Sequence, residues 1–165
     1  MQVSVGKTLG PYRLDALLGR GGMGEVFRGT HLPLNRNVAL KIMLPHFAAL
    51  SEFRARFLRE ARTAASLRHQ HIVAIDDFNE QDDLLYLVME LMSDGSLSAL
   101  LHRYHGQPLP LQLALHLAYQ AAEGLAAAHE LQAIHRDIKP DNLLLQRIGG
   151  KDQPERYILK ISDFG

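Results

Sequence analysis

Apolar and polar residues alternate from Tyr12 to Leu18, with Tyr12, Leu14 and Ala16 set against Arg13 and Asp15. That is the two-residue period of a half-buried strand. Gly19-Arg20-Gly21-Gly22-Met23-Gly24-Glu25-Val26 follows, and Phe27-Arg28-Gly29 resumes the strand-like pattern. The glycines therefore fall in a strand–turn–strand hairpin, where a missing Cβ permits positive φ and close approach of the backbone to a ligand. Asn37 to Met43 predicts a third strand, ended by Pro45. Ser51 is placed to cap a helix. Its apolar positions Phe53, Phe57, Ala64 and Leu67 recur at helical steps.

Further on, His71 to Ile75 and Asp83 to Leu91 predict two strands, turning through Asn79-Glu80-Gln81-Asp82. Ser93-Asp94-Gly95-Ser96 reads as a turn before a short helix ending near His105. Pro110 opens a long amphipathic helix with Leu111, Leu115, Ala118, Ala122 and Leu125 on one stripe. Asn142 to Gln146 and Tyr157 to Ile161 predict a two-stranded ribbon around a polar loop, Arg147 to Arg156. No internal repeat is present.

Composition narrows the class. A chain of 165 residues suits one domain, or one small and one partial domain. Hydrophobic content of 47% excludes a wholly disordered chain. With 18 basic and 18 acidic residues the formal net charge is zero, so no bulk attraction to nucleic acid or to an anionic membrane is expected. The absence of Cys removes disulfides and thiolate metal sites. The start, MQVSVGKTLG, lacks the apolar run of a signal peptide, and no uncharged apolar run of roughly 18 residues exists to span a bilayer. The expectation is a cytoplasmic protein, with any membrane anchor lying outside this chain.

The candidate chemistry falls in two places. A bare G-x-G-x-x-G also opens dinucleotide-binding turns, but there the glycines lead into a helix and an acid follows about 20 residues later. Here β-prone residues follow Gly24, and Val38-Ala39-Leu40-Lys41 stands where the acid would be. A phosphate-covering hairpin with a strand lysine fits better. Lys41 lies in an apolar run, and a buried ammonium needs a partner or a phosphate; standing alone it would read as an edge lysine reaching water. Glu60 falls on the apolar stripe of the helix after Ser51, where a carboxylate demands a cation. Lys41 is the natural partner, with Arg56 and Arg59 the alternatives on the same helix. The second place is His135-Arg136-Asp137-Ile138-Lys139-Pro140-Asp141-Asn142, read with Asp163-Phe164-Gly165. The nine histidines invite a metal reading at His69-x-His71 and His102-x-x-His105. No acid or second cluster completes either set, so surface or helix-end histidines are expected.

In this order and at these intervals, the glycine loop, Lys41, Glu60, the His135–Asn142 loop and the Asp163 triplet resemble the protein kinases from Tyr12 to Gly165. Lys139 resembles the serine/threonine branch. LGRGGMGEVFRG and HRDIKPDN look most like the bacterial serine/threonine kinases of the eukaryotic-like type. The resemblance implies an α+β, protein-kinase-like fold. Residues 1–92 would form an N-terminal antiparallel β-sheet lobe with one helix. Residues 93–165 would form the first, incomplete part of the helical C-terminal lobe, truncated after the Asp-Phe-Gly triplet.

It also implies an ATP-dependent protein serine/threonine kinase whose partners are ATP and a protein bearing a Ser or Thr hydroxyl. Gly19, Gly21, Gly22 and Gly24 would cover the ATP phosphates. Leu18, Val26, Ala39 and Leu144 would sandwich the adenine, beside Met89, while the backbone of Glu90 and Met92 meets its edge. Lys41, held by Glu60, would orient the α- and β-phosphates. Asn142 and Asp163 would hold Mg²⁺, or Mn²⁺ in its place. Asp137 would accept the hydroxyl proton and Lys139 would stabilise the transferring phosphoryl. Arg136 resembles kinases switched by activation-loop phosphorylation, and His135 would support the loop and Phe164. The activation segment and most large-lobe helices of such kinases are absent from these 165 residues. Much of the Leu111–Leu125 stripe is therefore expected to be exposed, and the chain alone is expected to transfer phosphate poorly. The alternative is an inert kinase-like fragment that binds nucleotide or acts by interaction.

Overall fold

Strand alternation and tight hairpins build the first part of the chain. β1 (Thr8–Leu9), β2 (Tyr12–Arg20), β3 (Gly24–His31) and β4 (Arg36–Met43) run antiparallel in sequence order. A short helix α1 (Pro45–Ala48) and the longer α2 (Ser51–Ser66) intervene before β5 (Ile75–Gln81) and β6 (Leu84–Glu90). The six strands form one sheet in the order β1-β2-β3-β4-β6-β5. β6 lies between β4 and β5 and is buried from Leu84 to Met89, which accounts for a continuous apolar run where an edge strand would alternate. The sheet core gathers Leu14, Phe27, Val38, Leu40, Ile42, Tyr86 and Val88.

The computed structural model describes residues 3–22, 24–149 and 155–164. Met23 of the glycine loop and Gly165 of the last triplet lie outside them. The chain divides into two compact units, Met1–Ala65 with Ile75–Leu91, and Ser66–Ala74 with Met92–Gly165.

In the second unit α3 (Leu97–Arg103) is capped by Ser96, whose Oγ accepts the Ala99 N–H at 3.3 Å. After it come α4 (Leu111–Glu130), a single 3-10 turn (Pro140–Asn142), and the antiparallel pair β7 (Leu143–Ile148) and β8 (Arg156–Ile161). The core of this unit includes Leu67, Ile72, Leu100, Leu117, Leu145, Leu159 and Phe164. Among the described residues no helix is long and apolar enough to cross a membrane.

Several local expectations are corrected. Ser51 does not cap α2: the Arg54 N–H bonds to Leu50 O at 3.1 Å, so Leu50 holds the capping position. The helix buries Phe57 and Ala61, and Leu67 lies beyond its end. His71 to Ala74 is not a strand of the first sheet. Instead it runs beside β8, with an isolated parallel bridge between Ile72 and Ile161. The β5–β6 turn sits at Asp82 and Asp83, both left-handed at φ 52° and 61°, because a two-residue hairpin needs that hand and Asp tolerates it.

The phase of α4 also differs. Leu113, Leu117, Gln120, Gly124 and Ala128 are buried, while Leu111 and Leu115 are 69% and 57% exposed. Exposure of the Leu111 stripe was expected for this chain; Leu111 and Leu115 are exposed, while Leu125 at its end packs against the core of the unit. Gly124 fixes the phase: a Cβ there would stand 2.7 Å from His71 O, so only glycine lets the helix approach so closely. Accordingly Leu117→Ala should lower unfolding stability by about 2–5 kcal/mol, and Leu115→Ala by less than about 0.5 kcal/mol, in urea denaturation.

Candidate active site

In the first unit the register sorts the predicted nucleotide residues onto one face. Val26 stands opposite Lys41, and Ala39 opposite Met89. With the two-residue period, Val26, Ala39, Lys41 and Met89 share a side, while Phe27, Leu40 and Val88 enter the core on the other. Leu18 is 53% exposed at the end of β2, beside a register shift between Leu17 and Gly19. Glu90 ends β6; Met92 belongs to the second unit and is buried.

The glycine loop differs from its expected conformation. None of Gly19, Gly21, Gly22 and Gly24 has a left-handed φ. Gly24 is required for packing, because a Cβ there would lie 2.5 Å from Ile42 O on the neighbouring strand. Around Gly19 and Gly22, by contrast, no atom stands within 4 Å of a built Cβ. The tip is closed by Gly21 N–H donating to Gly24 O at 2.8 Å and by the Arg20–Glu25 pair at 2.9 Å. A phosphate drawing on the Gly21 N–H would displace that bond.

The expected Lys41–Glu60 pairing is likewise replaced. Glu60 Oε1 accepts from Arg56 Nε at 2.8 Å, one helical turn earlier on α2. The i,i+4 spacing sets the two groups side by side without bending the helix.

The second unit assembles the polar loop by backbone anchoring. Arg136 is left-handed at φ 65° and Asp163 at φ 59°, conformations that cost non-glycine residues of order 1–3 kcal/mol and persist where surroundings over-determine them. The surroundings do so here. His135 is buried; its Nδ1 accepts the Asp137 N–H at 3.2 Å, so its Nε2 carries the hydrogen donated to Ser162 O at 2.7 Å. One imidazole thus ties the loop to the end of β8, with Phe164 packed on it at 4.7 Å. Ser162 N and Oγ both donate to Asn142 O, at 2.9 and 3.2 Å.

Pro140 starts the 3-10 turn that folds Asn142 back over Asp137. Asn142 Nδ2 donates to Asp137 O at 2.8 Å and to Asp137 Oδ2 at 3.2 Å. The amide is thereby oriented, leaving Oδ1 as its acceptor for a cation. That amide oxygen and the Asp163 carboxylate are hard oxygen donors, the kind that fits Mg²⁺.

Lys139 Nζ meets Asp137 Oδ2 at 2.7 Å, with the Asp137 side chain 60% exposed. Every side-chain bond of Asp137 among the described residues falls on Oδ2, which leaves Oδ1 for another donor. The Lys139 hydrogen bond, then the Asn142 bond, hold the Asp137 carboxyl below its ordinary range. The Lys139 ammonium is raised in turn, first by Asp137 and then by the negative potential of Asp141 and Asp163. The structure thus brings Asp137, Lys139 and Asn142 together. Leu144 opens β7 with Leu143 and bridges to Ser96.

Sequence reasoning missed Ser162, Gln120 and His71. The signal for Gln120 was a polar residue at a stripe position, between Leu117 and Gly124, visible once the phase of α4 is known. His71 is buried against β8 rather than lying on the surface.

A family model described as "Protein kinase domain" matches residues 12–165. The chain is 44% identical over 140 residues to the serine/threonine-protein kinase PknE of Mycobacterium bovis, covering 85% of this chain and 24% of that protein. It is 39% identical over 165 residues to PknF of Mycobacterium tuberculosis, covering 100% of this chain and 34% of that protein. The chain thus spans a quarter to a third of the length of these curated relatives. Among solved structures it resembles the Mycobacterium tuberculosis PknI kinase domain, with a TM-score of 0.78 and 30% identity, over 99% of this chain and 63% of that one.

Removing the lysine tests the electrostatics of Asp137. In Lys139→Met the carboxyl should titrate upward, toward the ordinary 3.8, in a carboxyl ¹³C NMR titration. A carboxyl held low in the folded state stabilises the fold above its unfolded pKa, and loses that contribution as pH falls through the folded one. Lys139→Met should therefore shrink the acid-dependent part of stability; an unchanged Asp137 titration would contradict the assignment.

Proposed function

The chain belongs to the protein kinase domain family, and on that premise we propose that it is an ATP-dependent protein serine/threonine kinase. The observation that carries the reading is the Asp137 carboxylate, exposed, ionised and gripped on Oδ2 alone by Lys139 and Asn142. A base for a hydroxyl must be accessible and oriented, and must keep one oxygen for the proton it takes.

In the proposed reaction a Ser or Thr hydroxyl donates to Asp137, which orients its oxygen toward the γ-phosphorus. The P–O bond to ADP breaks as the bond to the hydroxyl oxygen forms, and the hydroxyl proton passes to Asp137. Lys139 stabilises charge on the transferring group. Lys41 orients the α- and β-phosphates, and Glu60, released from Arg56, holds Lys41. Gly19, Gly21, Gly22 and Gly24 place backbone over the phosphates, and Gly24 also seats β3 on β4. Leu18, Val26, Ala39 and Leu144 pack the adenine, and the backbone of Glu90 and Met92 meets its edge. Asn142 and Asp163 would hold Mg²⁺ or Mn²⁺, which offsets phosphate charge when bound. In this reading residues 1–92 and 93–165 are the nucleotide-covering lobe and the catalytic part of the second lobe. ATP and protein substrates are met in the cytoplasm.

Purified protein is to be assayed for γ-phosphoryl transfer to a generic Ser/Thr substrate, alongside melting with and without MgATP. MgATP should raise Tm and Lys41→Met should remove the shift. Asp137→Ala should keep the shift and lower transfer by on the order of 10²–10⁴-fold. A shift without transfer in the unmutated chain would favour the nucleotide-binding fragment; no shift at millimolar ATP would favour the inert fragment that acts by interaction.

A further inference from the structure

β8 leads directly to Ser162 and Asp163, and only one of its edges is paired with β7. The other edge presents the backbone groups of Tyr157, Leu159 and Ile161 within a core, where unpaired polar atoms are not tolerated. Five of these groups, from Tyr157 O to Ile161 O, are met without a strand. Gln120 Nε2 donates to Tyr157 O at 3.0 Å, and Gln120 Oε1 accepts the Leu159 N–H at 2.8 Å. One glutamine side chain thus copies the donor–acceptor pair of a neighbouring strand residue. His71 takes the next group, its Nδ1 lying 2.9 Å from Leu159 O. Since a carbonyl only accepts, Nδ1 carries the hydrogen. The His71 backbone oxygen accepts the Ile161 N–H at 2.9 Å, and Val73 N–H donates to Ile161 O at 2.9 Å.

The two side chains are themselves held. Gln120 is 4% exposed and His71 is 7% exposed. Beyond the ring, His71 Nε2 stands 3.5 Å from Glu123 Oε2, and Glu123 Oε1 accepts from Tyr119 Oη at 2.9 Å. Gly124 lets α4 approach closely enough for this. The anchoring stops two residues before Asp163, whose left-handed backbone needs a fixed approach.

We propose that Gln120 and His71 are positioning residues for the metal-binding carboxylate of Asp163, acting through β8. The proposal rests on the kinase reading given above. Neither side chain touches nucleotide or metal; each sets the strand end from which Asp163 is presented. Their loss should therefore weaken the part of ATP affinity that depends on Mg²⁺ and spare the part that does not.

The test measures ATP affinity by calorimetry with Mg²⁺ and with chelator, in the 165-residue chain and in Gln120→Leu, His71→Leu and His71→Asn. Asparagine can still donate an N–H toward Leu159 O; leucine cannot. The expected result is that Gln120→Leu and His71→Leu lose roughly 10–100-fold of the Mg²⁺-dependent tightening, as for residues that orient metal ligands. Metal-free affinity should change less than about twofold, and His71→Asn should retain most of the tightening. Variants that melt earlier yet keep the full Mg²⁺ effect would overturn the proposal and leave the two residues as core packing only. Should Gln120→Leu fail to fold by circular dichroism, the two His71 variants decide the matter. Absence of any Mg²⁺ effect in the unmutated chain, with ATP bound, would overturn the metal assignment, and absence of ATP binding would overturn the kinase reading itself.

Discussion

The backbone of β8 has polar groups on two edges, and the edge that does not face β7 must be satisfied inside the second unit. That constraint organises the surroundings. It calls a glutamine into the buried stripe of α4, draws the His71–Val73 segment alongside, and demands a glycine where helix and segment meet. The strand so fixed ends at Ser162, whose carbonyl holds His135 and whose N–H and hydroxyl hold Asn142. The exposed chemistry of Asp137 and Lys139 therefore rests on buried hydrogen bonds. Each is worth only about 1 kcal/mol net, but leaving a buried partner unpaired costs about 1–3 kcal/mol.

The first unit works by a different rule. There the two-residue period and the register do the sorting, so that Val26, Ala39 and Lys41 face one way. The helix α2 supplies Glu60, but that carboxylate is bound by Arg56 within its own helix. An exposed i,i+4 pair of this kind contributes only about 0.3–0.5 kcal/mol, a weak hold on a residue with a second proposed partner.

Much of the fold was legible because it obeys local periods. Strands β2, β3, β4 and β6, the helix after Pro110 and the β7–β8 ribbon follow from alternation, helical stripes and turn residues. What was misread depends on tertiary contact. The phase of α4 could not be chosen from two competing leucine stripes, Leu111 and Leu115 against Leu113 and Leu117, since the close approach at Gly124 decides it. His71 to Ala74 has strand-like residues but bonds to β8 through isolated contacts. In the candidate site Asp137, Lys139 and Asn142 stood out because charged and amide residues cluster after an apolar helix, and Asp163 stood out through the resemblance to kinases. Ser162 and Gln120 did not, since a single serine or glutamine announces nothing until its buried partner is known. Gly24 carries a second constraint that the sequence did not announce: its small size is needed by β4.

In the proposed kinase reading Asn142 and Asp163 form one oxygen site for a divalent cation carried with ATP. Paramagnetic Mn²⁺ tests it directly, by NMR of side-chain carboxyl and amide groups in the presence of ATP. Mn²⁺ should broaden Asp163 and Asn142 selectively, leaving Asp77 and Asp94 sharp. Equal broadening of all four, or none at Asp163, would contradict it.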